Sequence, residues 1–271
     1  MNKNMMMVIT ACALAGGVAN AQQVVVPVGS EDDVNIAGIA VGAVPDYMGS
    51  SHDTFAAGPV VRYTLPNSER YFLLLGGQAT FNVLNDENWR FGPMLNYRWG
   101  RNSDVEDSVV KRMDEIDGTV EGGAFIGYRL KLGKMPLHQI NFGADLAGSA
   151  NGVIGDVNAI YWRPLTRTTI LTVGLGTTIV NGKWMNTYFG VTSAHDIALF
   201  PSLGGKPYNA SGGFKGVHIP FGVSQALSKH WMVSVGGRLE LLVGDAKDSP
   251  VTSQRGNSTQ VIYGAGVAYL F

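Results

Sequence analysis

The sequence predicts an all-β fold, an antiparallel transmembrane β-barrel of about twelve strands, with about ten as the alternative. Three observations predict it. Apolar and polar residues alternate with a period of two along most of the chain. An export signal stands at the start. The end, Gln260–Phe271, reads QVIYGAGVAYLF, with Val261, Tyr263, Ala265, Val267, Tyr269 and Phe271 on one face and mostly small residues on the other. Lipid outside and a narrow lumen inside require two such faces. The terminal Phe271 also resembles the C-terminal signal by which bacterial outer-membrane proteins are recognised for insertion. Taken alone, this segment has a lesser alternative reading as the last strand of a soluble all-β domain.

Residues 1–21 read as a cleaved signal peptide and residues 22–271 as a single barrel domain. Lys3 supplies the positive charge, Met5–Ala15 the apolar stretch, and Ala19-Asn20-Ala21 the cleavage site, so the mature chain would start at Gln22. The apolar run is too short for a spanning helix. Ile9–Cys12 loosely matches a lipoprotein box, but the segment before it is short for one. Cys12 is the one cysteine of the chain; its removal with the signal excludes disulfides, thiolate metal sites and a cysteine nucleophile.

The strands follow in order. Asn35–Ala43, Phe55–Tyr63 and Tyr71–Phe81 come first. Trp89–Trp99 sets Trp89, Phe91, Leu95, Tyr97 and Trp99 against Arg90, Met94, Asn96 and Arg98. Val120–Leu132 and His138–Gly148 alternate in the same way, as do Asp156–Trp162 and Leu171–Ile179. Lys183–Thr192 is the best candidate for a further strand, and Val217–Ser224, Trp231–Val243 and the C-terminal strand complete the set. With both ends in the periplasm, counting places Pro45–Asp53, Ala194–Gly212 and Gly244–Ser258 outside the cell. Pro66-Asn67-Ser68 and Val180-Asn181-Gly182 become periplasmic turns. Gly100–Asp117 also falls in the periplasm, although it is long, charged and partly helix-like. Either the count slips by one there, or this is a periplasmic element with a task.

A soluble sandwich also alternates, so polarity decides. Its solvent face would be rich in Lys and Glu. Here charged residues are only 15% of the chain, and the polar faces carry Gly, Ser, Asn and Gln, which favours a lumen over bulk water. Apolar residues at 45% exclude disorder by composition. The formal net charge of −1, falling to −2 when Lys3 is removed, argues against a nucleic-acid partner.

The segments GAVPDYMGSS, GPMLNYRWGR, WMNTYFGVT, KPYNASGG and GDAKDSPV, in this order, resemble the MltA-interacting protein/OmpV (MipA/OmpV) family. Together they run from Gly42 to Phe271. The resemblance implies an outer-membrane barrel in outer-membrane lipid. It also implies a scaffolding role, bringing a lytic transglycosylase together with a bifunctional murein synthase. Other members of the family are described as antigens, adhesins or porin-like proteins.

Catalytic constellations are mostly missing. The five histidines form no HExxH pattern, and no G-x-S-x-G elbow or P-loop occurs. Gly174-Leu175-Gly176 and Gly264-Ala265-Gly266 lack a third glycine and read as close packing. His195 and Asp196 could form an acid–base pair or be two solvated loop residues. Asp245 and Asp248 could bind calcium or form a capped turn ending at Pro250. No enzyme activity and no cofactor or metal is expected.

The strand phases point Arg62, Arg90, Arg98, Glu121, Arg129, Asp145, Arg238 and Glu240 into the lumen. Paired, they would close it; unpaired, they would line a selective channel. The expected function is interaction or scaffolding linked to murein-processing machinery, with a narrow porin or small-solute channel as the alternative. In the first case Val109, Val110, Met113 and Ile116, within Asp104–Asp117, would dock a periplasmic murein enzyme.

Overall fold

A computed structural model describes residues 35–135 and 137–271. The expected signal peptide and the start of the mature chain lie outside these residues. Among the described residues twelve strands form one closed antiparallel barrel in which each strand neighbours the next in sequence. They are β1 (Ile36–Pro45), β2 (Asp53–Thr64), β3 (Tyr71–Leu75), β4 (Gln78–Asn82), β5 (Trp89–Arg98) and β6 (Thr119–Lys131). Then come β7 (Gln139–Ser149), β8 (Gly152–Pro164), β9 (Thr169–Val180), β10 (Gly213–Ala226), β11 (Trp231–Leu242) and β12 (Thr259–Leu270). Four short helices lie in the connections: α1 (Gly182–Phe189), α2 (Ala194–Leu199), α3 (Gly244–Asp248) and α4 (Pro250–Ser253).

Alternation in the sequence becomes alternation in exposure. In β5, Arg90, Gly92, Met94, Asn96 and Arg98 are buried while Trp89, Phe91, Pro93, Leu95 and Tyr97 are exposed. The outer face is therefore apolar, as lipid requires. Aromatics gather at both ends of this belt. Trp231, Tyr269 and Phe271 pack together at one end, as do Trp89 and Tyr128, and Tyr97 meets Trp99 edge-on at the other. Closure runs through β1 and β12, from Ile36 opposite Leu270 to Ala43 opposite Tyr263. Gly38, Gly42 and Gly264 hold this seam: a Cβ on any of them would meet a backbone oxygen of the other strand at 2.3–2.4 Å.

The expected twelve strands stand, but two of them were placed wrongly and the errors cancel. Tyr71–Phe81 is not one strand but the β3–β4 hairpin, because Gly76 takes φ 55° and turns the chain. Lys183–Thr192 is not a strand: α1 occupies it, with the Asn181 side chain accepting the Trp184 N–H at 2.9 Å as its N-cap. Trp184, Met185, Tyr188 and Phe189 then share the buried face of a helix.

Between the two errors every side was inverted. The connections 46–52, 99–118, 181–212 and 243–258 all leave the same end of the barrel, opposite Asn35 and Phe271. The other end carries the short turns 65–70, 83–88, 165–168 and 227–230 and the β6–β7 connection. Short turns are periplasmic and long loops extracellular in such barrels. Gly100–Asp117 is therefore extracellular, not periplasmic, and so is Val180-Asn181-Gly182.

Candidate functional site in the plugged lumen

The long connections fold over and into the extracellular mouth. Tyr47, Val105, Val110, Met113, Val191, Phe200 and Val251, drawn from all four, form one buried apolar cluster. Val109 packs against this cluster and Ile116 against the neighbouring one around α1. The four residues expected to dock a periplasmic enzyme are thus on the wrong side and are spent on packing inside the cap.

Polar bonds lock the same layer. Arg255 pairs with Asp107 at 2.7 Å, and the Tyr47 hydroxyl donates to the Arg255 carbonyl at 3.0 Å. The Glu106 N–H donates to Asp46 at 2.8 Å, and the Ser249 hydroxyl to the Phe189 carbonyl at 2.6 Å. Burial raises the Asp107 carboxyl, but the hydrogen bonds from Arg255, Val110 and Val109 outweigh it and leave the pKa below its ordinary value. Burial, with Asp107 and Asp46 alongside, holds the Tyr47 hydroxyl well above its ordinary range.

Beneath this layer α1 enters the lumen. Trp184, Met185, Tyr188 and Phe189 pack on the inward residues Met94, Ala147, Ile154, Val180 and Leu242. Gly152 makes room: a Cβ there would lie 2.5 Å from the Trp184 nitrogen. The Trp184 ring then meets charges from two walls. The Arg98 guanidinium sits 5.2 Å from it and the Lys215 ammonium 5.9 Å, while its Nε1 donates to Glu121 at 3.4 Å. Arg98 and Lys215 belong to β5 and β10, five places apart in a ring of twelve and so nearly opposite.

The lumen charges are brought together around it. Arg98 donates to both Glu121 oxygens at 2.6 and 2.7 Å, a bidentate pair, and Asn96 adds a third bond at 2.8 Å. Glu240 pairs with Lys215 at 2.7 Å and lies 3.6 Å from Arg238. Arg90, near the periplasmic rim, pairs with Glu69 at 3.0 Å. Arg62 lies over the Tyr71 ring at 4.8 Å. Arg129 and Asp145 face inward and are half-buried; Asp145 stands opposite Asp156 across β7 and β8.

Sequence reasoning missed three members of this network. Lys215 reaches the lumen because a β-bulge between Phe214 and Gly216 adds one residue to β10. Asp156 accepts from Thr178 at 2.9 Å and from Asn158 at 3.0 Å, and pairs with His218 at 2.8 Å. Asp156 and His218 lie two strands apart, across Gly176 of β9, where a Cβ would come 2.3 Å from the His218 ring. The Gly174–Gly176 pair, expected to serve close packing, is the sequence signal of that crossing.

The remaining candidates hold loops together. His195 bonds the Arg112 carbonyl at 2.6 Å, and Asp196 accepts the Asp114 N–H at 2.8 Å. Asp114, His195 and Asp196 bring one donor each within 4.8 Å of one another, but the bonds they make tie 99–118 to α2. Asp245 and Asp248 fall in α3, which ends at Ser249, the N-cap of α4.

A family model described as "MltA-interacting protein MipA" matches residues 37–271. Among curated proteins no relative matches. Among solved structures the chain is similar to the NanC porin at 9% identity and TM-score 0.47, covering 86% of this chain and 99% of that one. It is similar to an outer-membrane protein OmpT of Vibrio cholerae at 10% identity and TM-score 0.35, covering 90% and 99%. A FadL homologue of Pseudomonas aeruginosa gives 8% identity and TM-score 0.37, covering 87% and 88%.

Proposed function

We propose a role that proceeds from one premise: the chain belongs to the MltA-interacting protein MipA family. It is an outer-membrane β-barrel. Our reading is that it conducts nothing and works as an interaction platform for murein-processing enzymes, a lytic transglycosylase and a murein synthase. The Trp184 indole carries this reading. It is fully buried in the lumen and touches charges from opposite walls, under a cap drawn from four connections. A channel would need that volume open and its charges free to meet ions.

A platform for periplasmic enzymes must use the periplasmic rim, and one part of that rim is rigidly built. Buried Asn82 donates to the Glu69 carbonyl at 2.8 Å and to the Leu84 carbonyl at 3.0 Å. Arg90 bonds the Asp86, Glu87 and Trp89 carbonyls, and the Asn85 side chain accepts the Glu69 N–H at 2.8 Å. Turns 65–70 and 83–88 are thereby joined into one surface that presents the exposed Glu87 carboxylate, 3.3 Å from the Lys131 ammonium. A preformed surface binds without first having to be ordered.

The test is reconstitution of the purified barrel in planar bilayers, with capture of both enzymes measured in parallel. A silent folded barrel that captures them, and loses capture on Glu87→Lys, is expected. Reproducible conductance steps would overturn the reading.

A further inference from the structure

The barrel wall is not of even height. Ten strands run for 10–14 residues, but β3 and β4 have 5 each and turn back at Gly76–Gly77. β2 pairs with β3 only over Val60–Thr64, so among the described residues no strand lies beside Asp53–Gly58 on that edge. The Pro59 carbonyl, which accepts the Gly76 N–H, fixes the direction of this edge. By the alternation of an extended strand, the N–H and C=O groups of Ala57 and Phe55 point into the gap.

A cavity of about 200 Å³ lies at this place. Inward-facing Ala40, Val44, Ala56 and Ile262 line it, and so do outward-facing Phe55 and Tyr263. Residues of both faces border this space, and it lies at the place where β2 has no neighbouring strand among the described residues. None of its lining residues is charged. Gly76–Gly77 forms its sill and Trp99 bounds it on the loop side. The outer surface beside the gap, Val41, Phe55, Val261 and Tyr263, is exposed and apolar, so the lipid belt reaches the opening.

We propose that this opening is a lateral binding site for one acyl chain of a membrane lipid. The chain would enter from the outer half of the bilayer and lie along the small, apolar inner faces of β1, β2 and β12. Its ester or amide carbonyl would accept a hydrogen bond from the edge of β2 beside which no strand lies among the described residues. Two observations select this occupant. The cavity is bordered by residues of the lipid face and is lined by aliphatic and aromatic side chains with no charge, which fits an aliphatic tail. The strand edge at its mouth carries backbone donors that hydrocarbon alone leaves unsatisfied, which fits a tail bearing a carbonyl.

The test is photolabelling of the barrel in vesicles with a phospholipid carrying a diazirine in its acyl chain, followed by peptide mapping. Labelling is expected at Ala40 and Ala56 inside, as well as at outward positions such as Leu146. Ala56→Phe is expected to lower inside labelling about tenfold, the ratio that ~1.4 kcal/mol of overpacking gives, and leave Leu146 labelling unchanged. Ala40→Phe fills the same space from the next strand and covers the case in which Ala56→Phe does not insert. Inside labelling at background, or insensitive to both variants, would overturn the proposal. So would inside labelling by a diazirine fatty acid added from water but not by the phospholipid, because the occupant would then be a soluble amphiphile.

Discussion

Two halves of the lumen wall use one alternating pattern for opposite ends. From β5 to β11 the inward positions carry Arg98, Glu121, Asp156, His218, Arg238 and Glu240, paired across and between strands. On β12, β1 and β2 they carry Ile36, Ala40, Val44, Val60, Ile262 and Ala268, which pack or leave space, with Arg62 and Gln260 among the buried polar exceptions. The outer faces of both halves meet the same lipid, so lipid does not cause the difference. What differs is the load from above. The polar half receives α1 and its indole, and rigid pairing there fixes the plug. The apolar half has a short hairpin beside it and small side chains, and it keeps a cavity. Period-two alternation sets only which way a residue faces; what fills the inside is decided strand by strand.

The comparison can be broken most directly at Glu121. Glu121→Ala leaves the Arg98 guanidinium buried without its carboxylate, and a loss of about 3–5 kcal/mol is expected. Urea unfolding in lipid vesicles measures it. Gly176→Ala comes next. Its Cβ would push His218 from Asp156, at an expected cost of about 1–3 kcal/mol. Most of that cost should disappear in a His218→Ala background, the Asn158 Cβ at 2.9 Å accounting for the rest, and additive losses would show that the glycine serves another purpose. On the apolar side Ile36→Val should cost only about 0.5–1.5 kcal/mol. A loss there as large as that of Glu121→Ala would erase the distinction between the halves.

The smallest effect expected is in the cap. The depressed Asp107 pKa means that its pairing supports the folded loops at every pH above the ordinary carboxylate value of about 3.9 and is lost as pH falls through the lower folded value. Amides of Val109 and Val110, which donate to Asp107, should keep their hydrogen-exchange protection down through the ordinary carboxylate value of about 3.9 and lose it only as pH falls through the lower folded value. Equal loss of protection in the lumen strands would show that cap and wall open as one unit.

The strands were legible because lipid and lumen impose a two-residue period on every one of them. The hairpin at Gly76–Gly77 was not, because its arms of 5 residues each together have the length of one ordinary strand, although Gly76-Gly77 before the polar Gln78 is the turn signal. The α1 segment was not, because its aromatics suit a membrane strand as well as a buried helix face. Inward charges followed from strand phase, but their partners did not. Trp184 comes from a connection, Lys215 from a bulge, and the Asp156–His218 pair spans a third strand. The four apolar residues Val109, Val110, Met113 and Ile116 were recognisable, among the charges between them, as a surface seeking burial. Its side was wrong because sidedness depends on whether the preceding strand count is odd or even.

The glycine-lined seam has a consequence in time. It joins Ile36 to Leu270, and Asn35 and Phe271 exchange backbone hydrogen bonds at 3.1 and 3.0 Å. Every other strand pair is between sequence neighbours and can form as a local hairpin; this one must wait until both ends of the chain exist and meet. Loop-closure entropy grows only as the logarithm of length, so the distance adds little to the equilibrium cost. Its weight falls on the rate, because contacts so far apart in sequence form late. The β1–β12 ladder is therefore expected to be the last to form, at the one seam that has no turn.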